Sequence, residues 1–428
     1  MAEDRTSDAP TRSREFQLAG AAADKTKPKL PPGVGAIRNP SPGRRYLFRP
    51  DELLCLEAEV DAGLDERVSK IASRVDGAQP FQPRPRKGLS EPKLHMLELR
   101  ADEQEALAAE ALAGAGLVKF KVDRKKVNSM LGGPQQLPDI VDLVRSGGGL
   151  DEGQPWQCWP NHLLTCQDYP EWGPGGPVKR LTKPFVVPKV VGDAGRGVTV
   201  AIVDTGVRKD HVWLLGQTEC RDIVDEEALD LDNNDKLDYE AGHGTFIAGI
   251  VRQMAPGADI IVRGAVHSNG TVEDAVVAGS IYSLRTEKRV DILNLSLGGY
   301  THMNEGNGLP ATTWALKELR RKFPRCIVVA AAGNDHRSDP FYPAALGNVI
   351  GVGALNAKGG KARFSNYGWW VDAWALGVDV VSSFVGRDLD TLGGGGKGND
   401  AASWSGTSFA APRVAGALAA SISPGSGS

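Results

Sequence analysis

The chain has 428 residues, 41% hydrophobic and 24% charged, with a net charge of −3; this is the profile of a globular protein too long for one small core. Near-neutral charge gives no electrostatic drive toward nucleic acid or an anionic membrane, and no apolar run approaches the ~18 residues of a membrane span. The five cysteines, Cys55, Cys158, Cys166, Cys220 and Cys326, are scattered without a CxxC pair, so no disulfide framework or zinc site is indicated; reduced thiols are expected, with Cys158–Cys166 the one pairing left open.

Residues 1–45 are rich in Pro, Gly, Ala and charge, lack periodicity and contain no apolar core of the signal-peptide type, so they read as a flexible lead-in to a protein of cytoplasmic location, with non-classical export left open. Residues 46–145 read as a small α+β region. "LLCLEAEVDAGLDERVSKIASRV" predicts a helix, "KLHMLELR" a strand, "DEQEALAAEALAGAG" a helix closed by glycine, and "LVKFKVD" a second strand. Residues 146–186 form a Gly/Pro/Trp-rich connector, in which His162 reads as a core or loop residue and "VKR" at 178–180 as a basic triplet open to cutting.

Residues 187–428 have a different texture. β-Branched runs ("VTVAIV", "DIIV", "VDILNLSL", "CIVVAAA", "VIGVGA") alternate with helical segments at 245–254, 272–285 and 312–323, the second opening on a capping signal at Thr271 and Asp274. Alternation of this kind predicts a mostly parallel sheet covered on both faces, with ligand groups collected at the carboxyl ends of its strands.

Four polar residues fall at those strand ends or at helix starts. Asp204 follows "VTVAIV", His243 stands between glycines before an apolar helix face, and Asn334 follows "CIVVAAAG". Ser408 precedes the periodic run Ala411, Val414, Ala415, Leu418, Ile422, with Pro412 expected near the helix start. Taken singly, each has a plain reading: a turn or cap for Asp204, a turn for Asn334, an N-cap for Ser408. His243 is harder to read as packing, because its glycine neighbours offer no side chain to pack against. Together they match a chemistry. A serine hydroxyl becomes a nucleophile when an imidazole takes its proton, a carboxylate holds that imidazole in the right tautomer, and a carboxamide with a helix-start amide stabilises an oxyanion.

The flanking residues resemble the subtilisin-like serine proteases. "AIVDTGV" (201–207), "GHGTFIAGI" (242–250) and "SGTSFAAPRVAG" (405–416) are similar to that family's aspartate, histidine and serine blocks, "AAAGN" (330–334) to its oxyanion block and "NLSLGG" (294–299) to its substrate strand. The resemblance implies an α/β fold of three layers with a mostly parallel central sheet, preceded by a small α+β prodomain-like region. It implies a serine endopeptidase acting on peptide or unfolded protein, with catalytic residues Asp204, His243, Ser408 and Asn334. Ser296, Leu297 and Gly298 would pair with extended substrate, Gly270 in "HSNGT" would form the opposite wall, and Ala331, Ala332 and Gly333 would line a roomy first specificity pocket. Asp335 at its rim is either a solvated carboxylate or a preference for basic residues. The N-terminal region would dock on its own catalytic domain, so a self-inhibited or non-catalytic peptide-binding protein is the alternative. No cofactor or metal is expected. The acidic run at 225–238 lacks an EF-hand pattern, and Ca²⁺ is possible there but not indicated.

The chain departs from the family pattern at Phe246, where many relatives have a second histidine, at Leu376 in place of proline, in the insertion "TLGGGGKGND" (391–400), and in the 20 residues that follow Ser408.

Overall fold

The computed structural model describes residues 35–38, 45–57, 95–121, 157–166, 178–181 and most of 192–422, with isolated positions 141 and 145. Within 192–422, residues 209–210, 212–213, 215–217, 220–236, 303–308 and 386–400 are outside the description. The lead-in before residue 35, Cys220, nearly all of the acidic run and the 391–400 insertion therefore lie outside the described residues.

In chain order the first elements are β1 (Gly35–Arg38), β2 (Arg45–Leu56), α1 (His95–Ala115), β3 (Leu117–Lys121) and β4 (Cys158–Thr165). Two of these correct the sequence reading. Leu53–Leu56, expected to open a helix, ends β2, because a continuous apolar run suits either element and here has strands on both edges: β3 and β4 both pair with β2, antiparallel. "HMLELR", expected as a strand, is the first part of α1. Its alternation runs directly into the strong helix formers "DEQEALAAEALAGA", and helix propagates cheaply from such a segment. Gly116 closes α1 in the left-handed region at φ 64.

The remaining elements are β5 (Lys179–Arg180), β6 (Thr199–Asp204), β7 (Thr218–Glu219), α2 (His243–Met254), β8 (Asp259–Gly264), β9 (Thr271–Glu273), α3 (Asp274–Ser283) with a 3₁₀ turn at Leu284–Thr286, β10 (Ile292–Leu295), α4 (Pro310–Lys322), β11 (Ile327–Ala331), β12 (Ile350–Leu355), β13 (Ala373–Leu376), β14 (Val380–Ser383), β15 (Ala401–Trp404) and α5 (Thr407–Ile422). Seven of them form one parallel sheet in the order β13-β12-β11-β10-β6-β8-β7. Successive side chains of a strand face opposite ways. Ala201 and Val203 of β6 accordingly enter one core with α1, α3 and α4, whereas Val200 and Ile202 enter a second core with α2 and α5. The result is the expected α/β arrangement of three layers. Two details differ from the sequence reading. Thr271 lies in β9, and no side chain caps α3; Asp274 instead accepts the Ala311 and Thr312 amides (both 3.0 Å) at the start of α4. Lys179 and Arg180, read as part of a loop, form β5 and pair with β15.

The N-terminal strands continue into the rest of the molecule through one shared sheet, β1-β2-β4-β9, with β3 on β2. Two close fits hold this junction. Gly279 of α3 lies so near α1 that an added Cβ would stand 2.7 Å from the Leu107 carbonyl carbon. Glu273, the last residue of β9, receives Arg49 and Lys119 at 2.7 Å and Asn161 at 3.0 Å, one group each from β2, β3 and β4. Burial alone would raise the Glu273 carboxyl; the Lys119 ammonium, Arg49 and Asn161 outweigh it and hold the group at about 2. Beside them, His162 of β4 is sealed from water, and burial followed by the neighbouring His302 lowers it to about 3. The neutral ring accepts the His302 amide at its Nε2, 3.0 Å away, and the phenol of Tyr46 meets His302 Nδ1 at 2.9 Å.

Both depressed groups make this junction acid-sensitive. The His162 contribution is intact above its usual 6.5 and is lost as pH falls toward about 3. The Glu273 contribution is intact above the usual 4.5 and lost toward about 2. Each changes stability by at most about 1.4 kcal/mol per pH unit. Amide exchange in residues 157–166, corrected for its intrinsic pH dependence, is expected to accelerate on acidification across the His162 window, and His162→Gln, which cannot take up the proton, is expected to remove that part of the slope. An unchanged slope in the variant would assign the acid effect elsewhere.

Candidate functional site

Asp204 ends β6 and His243 opens α2, and two glycines let these elements meet. Gly206 turns the chain after β6 with φ 107, and Gly244 passes so close that a Cβ on it would stand 2.0 Å from the Gly206 carbonyl oxygen. His243 Nδ1 then lies 2.7 Å from Asp204 Oδ1, which also accepts the Thr205 amide at 2.8 Å. The Thr205 hydroxyl oxygen accepts the Gly244 amide at 2.9 Å, tying α2 to the turn a second time. Both Asp204 and His243 are fully buried. The imidazole is walled by Trp404, edge-on at 5.6 Å, and Phe409 at 5.4 Å. Phe246, where a second histidine was the alternative, packs 4.7 Å from the Phe409 ring and completes that wall. With its Nδ1–H given to a carboxylate, the ring keeps Nε2 as its basic nitrogen.

Ser408 is the second residue of α5 and is also fully buried. Its Oγ lies 2.7 Å from the Cys166 carbonyl oxygen and 3.1 Å from that of Ser296. Pro412 stands a full turn inside α5, deeper than the sequence reading put it. A helix would normally satisfy the Ser408 carbonyl with the amide four residues on, and Pro412 has none. The Ser296 hydroxyl takes its place, donating to the Ser408 carbonyl at 2.7 Å while accepting from Asn294 Nδ2 at 2.9 Å. A side chain from β10 and its following loop thus fixes the first turn of α5.

Asn334 follows β11. Its Oδ1 accepts both the amide (2.7 Å) and the hydroxyl (2.8 Å) of Thr407, whose oxygen in turn accepts the Gly333 amide at 3.0 Å. With the carbonyl end occupied twice, this network assigns the NH₂ end of Asn334 to the opposite side. Asn334, Thr407, Ser408, Ala331 and Gly333 border one pocket. Ala332 packs away from it into the core with its amide on the Val352 carbonyl, 3.0 Å. Phe341 narrows the pocket expected to be roomy: added Cβ atoms on Gly298 and Gly333 would meet its ring at 2.3 and 3.1 Å. Phe341 lies outside every motif, so nothing local in the sequence marks it. The same holds for Asn366, which donates to the Ala332 carbonyl (2.8 Å) and accepts the Asp335 and Arg337 amides (3.1 and 3.0 Å), supporting the loop on either side of Asn334.

The end of β4 lies in the cleft beside these groups. Thr165 exchanges both main-chain hydrogen bonds with Gly298, at 2.8 and 2.9 Å, and the Cys166 amide donates to the Gly270 carbonyl at 3.2 Å. An extended segment from the N-terminal region therefore runs between the two strips that the sequence assigned to substrate, Ser296–Gly298 and Gly270. Cys166 also brings its sulfur near the buried pair: one ligand atom from each of Cys166, Asp204 and His243 lies within 4.8 Å of the others. Cys158 and Cys166 sit at opposite ends of an extended strand, which excludes the pairing left open from sequence. Among the described residues no helix is long and apolar enough to cross a membrane.

A profile of the subtilase family matches residues 195–425. A thermophilic serine proteinase of Bacillus sp. (strain AK1) is 35% identical over 240 residues, covering 54% of this chain and 53% of that protein. An intracellular serine protease of Paenibacillus polymyxa is 35% identical over 243 residues (53% and 66%), and subtilisin DY of Bacillus licheniformis is 31% identical over 267 residues (56% and 85%). The chain thus spans about half to two thirds of the length of the first two relatives. A solved cold adapted subtilisin-like serine proteinase overlaps 55% of this chain and 78% of its own at 24% identity, with a TM-score of 0.43.

The Pro412–Ser296 exchange makes a paired prediction. Ser296→Ala leaves the buried Ser408 carbonyl without its side-chain donor and is expected to cost about 1–3 kcal/mol in chemical denaturation. Adding Pro412→Ala restores a helical N–H to that carbonyl and is expected to recover part of the loss. Simple additivity of the two substitutions would refute the exchange.

Proposed function

The chain belongs to the subtilase family, and we propose that it is a serine endopeptidase, with the end of its own β4 occupying the cleft where an extended peptide or unfolded protein substrate would bind. The observation that carries this reading is the buried Asp204–His243 pair at 2.7 Å, in a fold that sets Ser408 at a helix start. In the proposed reaction the Ser408 hydroxyl turns from its carbonyl acceptors toward His243 Nε2 and gives up its proton as its oxygen adds to the substrate carbonyl carbon. Asp204 holds the imidazole through Nδ1–H and stabilises the imidazolium that forms. The oxyanion is met by the Ser408 amide, near the positive end of the α5 dipole, and by the Asn334 NH₂ group. His243 returns the proton to the leaving amine as the peptide C–N bond breaks. Water then attacks the acyl-enzyme with His243 as base, and collapse of the second intermediate returns the proton to Ser408. Every step moves protons within these residues and water, so the scheme calls on no metal or cofactor.

The bonds Thr165 and Cys166 make to Gly298 and Gly270 are those a substrate strand added to this edge would make. With the Cys166 carbonyl on the Ser408 hydroxyl, peptide access and proton transfer to His243 both wait on this segment leaving. We take this as an occluded cleft in a peptidase whose catalytic machinery is retained underneath. We read residues 46–145 as the prodomain-like body that presents the segment.

The test is labelling by a fluorophosphonate probe with intact mass recorded. Slow labelling of the full chain, faster labelling once the N-terminal region is removed proteolytically, and none in Ser408→Ala are the expected results. Asn334→Ala is expected to label and to lower peptide turnover by about 10²–10³-fold. Absence of Ser408-dependent labelling after N-terminal removal would overturn the assignment.

A further inference from the structure

Cys55 of β2 and Cys158 of β4 are direct partners in the antiparallel register, both buried and both in the thiol form. In such a ladder, bonded and non-bonded pairs alternate. The next pair outward, Leu56 with Gln157, is joined by the Leu56 amide donating to the Gln157 carbonyl at 3.4 Å. Cys55 and Cys158 therefore form a non-hydrogen-bonded pair, the kind with Cα atoms about 4.5 Å apart and side chains closest together. Pro160, two residues along, is opposite Leu53 at the next position of the same kind, where no amide is needed for this ladder. A separation of about 4.5 Å is within the range a disulfide spans, and side chains of opposed residues share a face of the sheet.

We infer that Cys55 and Cys158 are a redox modification site, a cross-strand disulfide that staples β4 to β2 and so holds the cleft-filling segment in place. The inference rests on the reading of β4 as the occupant of a peptidase cleft. The link runs along one strand: Cys158 begins β4, and Thr165 ends it on Gly298. Between them the β2–β4 register shifts between Phe48 and Leu53, and a strand beside such an irregularity can slip. A slip by one residue would turn every side chain of β4 to the other face and take the Thr165 amide off Gly298. A covalent bond at Cys55–Cys158 pins the register on one side of the irregularity, while the Leu47–Leu163 pair holds the other.

The oxidant is a small-molecule disulfide of the glutathione type. With both sulfurs sealed from solvent, exchange begins when β4 has lifted from β2. One thiolate attacks the small disulfide, forming a mixed disulfide and expelling one thiolate. The second cysteine thiolate attacks the protein sulfur of that adduct, closing Cys55–Cys158 and expelling the other. Two protein thiols lose two electrons and two protons, and one small disulfide is reduced to two thiols. Cys326 is a poor competitor, because burial raises its thiol to about 12.

The experiment incubates the full chain with oxidised glutathione, maps disulfides by peptide mass, and follows both amide exchange in residues 157–166 and the fluorophosphonate labelling rate at Ser408. The expected result is a Cys55–Cys158 linked peptide, slower exchange in β4, and labelling at least about tenfold slower, all reversed by dithiothreitol and absent in Cys55→Ser and in Cys158→Ser. Glutathione adducts or other pairings in place of that peptide would overturn the site. A mapped bond that leaves β4 exchange unchanged would overturn the staple. Absence of Ser408 labelling in both redox states, with β4 exchange still slowed, would overturn the peptidase reading and leave the disulfide standing.

Discussion

The close passage of α2 over the turn after β6 is the constraint on which the site depends. His243 reaches Asp204 because neither Gly244 nor Gly206 carries a side chain at the point of contact, where a Cβ would lie 2.0 Å from a carbonyl oxygen. Any substitution at Gly244 would have to move the helix, and the helix cannot move easily. Phe246, Ile247, Ile250 and Val251 are buried on its inner face against the parallel sheet and α5, and cores packed at this density resist shifts. The same packing that buries α2 therefore sets the imidazole–carboxylate distance, and the aromatic wall of Trp404 and Phe409 keeps water from competing for it.

A second constraint acts on the other side of the cleft. The helix carrying Ser408 contains a proline where its first turn needs a donor, and the Ser296 hydroxyl supplies one from the segment after β10. Thr407, one residue before the serine, carries the Asn334 amide on its main-chain and side-chain donors. The start of α5 is thus bonded at once to the segment after β10 and to the end of β11. Main-chain and hydroxyl groups whose alternative would be an unsatisfied buried dipole are what aim the candidate oxyanion donors.

The N-terminal strands meet this centre through ordinary strand pairing. β4 belongs to two ladders, one with β2 and one with β9, and its end belongs to a third, with Gly298. Because the segment is on the same chain, its local concentration at the cleft is high whatever its intrinsic affinity. Its grip depends on a hub at Glu273 and on the buried neutral imidazole of His162, two groups whose depressed titration makes the junction acid-sensitive. On the proposed reading, access to the centre and stability of the N-terminal junction are one equilibrium.

Local signals in the sequence determined the parallel-sheet segments, the helices between them, and the four polar residues at their ends, because β-branched runs, helical periodicity and glycine-flanked histidines report on physics within a few residues. The family blocks around Asp204, His243, Asn334 and Ser408 carried the resemblance for the same reason. What the tertiary structure decided lies where a segment is apolar without a period or where a partner comes from far along the chain. "LLCL" became a strand because two other strands were there to pair with it, and "HMLELR" became helix because of what followed it. Phe341, Asn366 and the Ser296–Pro412 exchange depend on long-range neighbours that leave no local trace. The course of β4 through the cleft, and Cys158 facing Cys55 instead of Cys166, were fixed by strand register, which is set by hydrogen-bond pairing across the sheet and not by the order of residues along the chain.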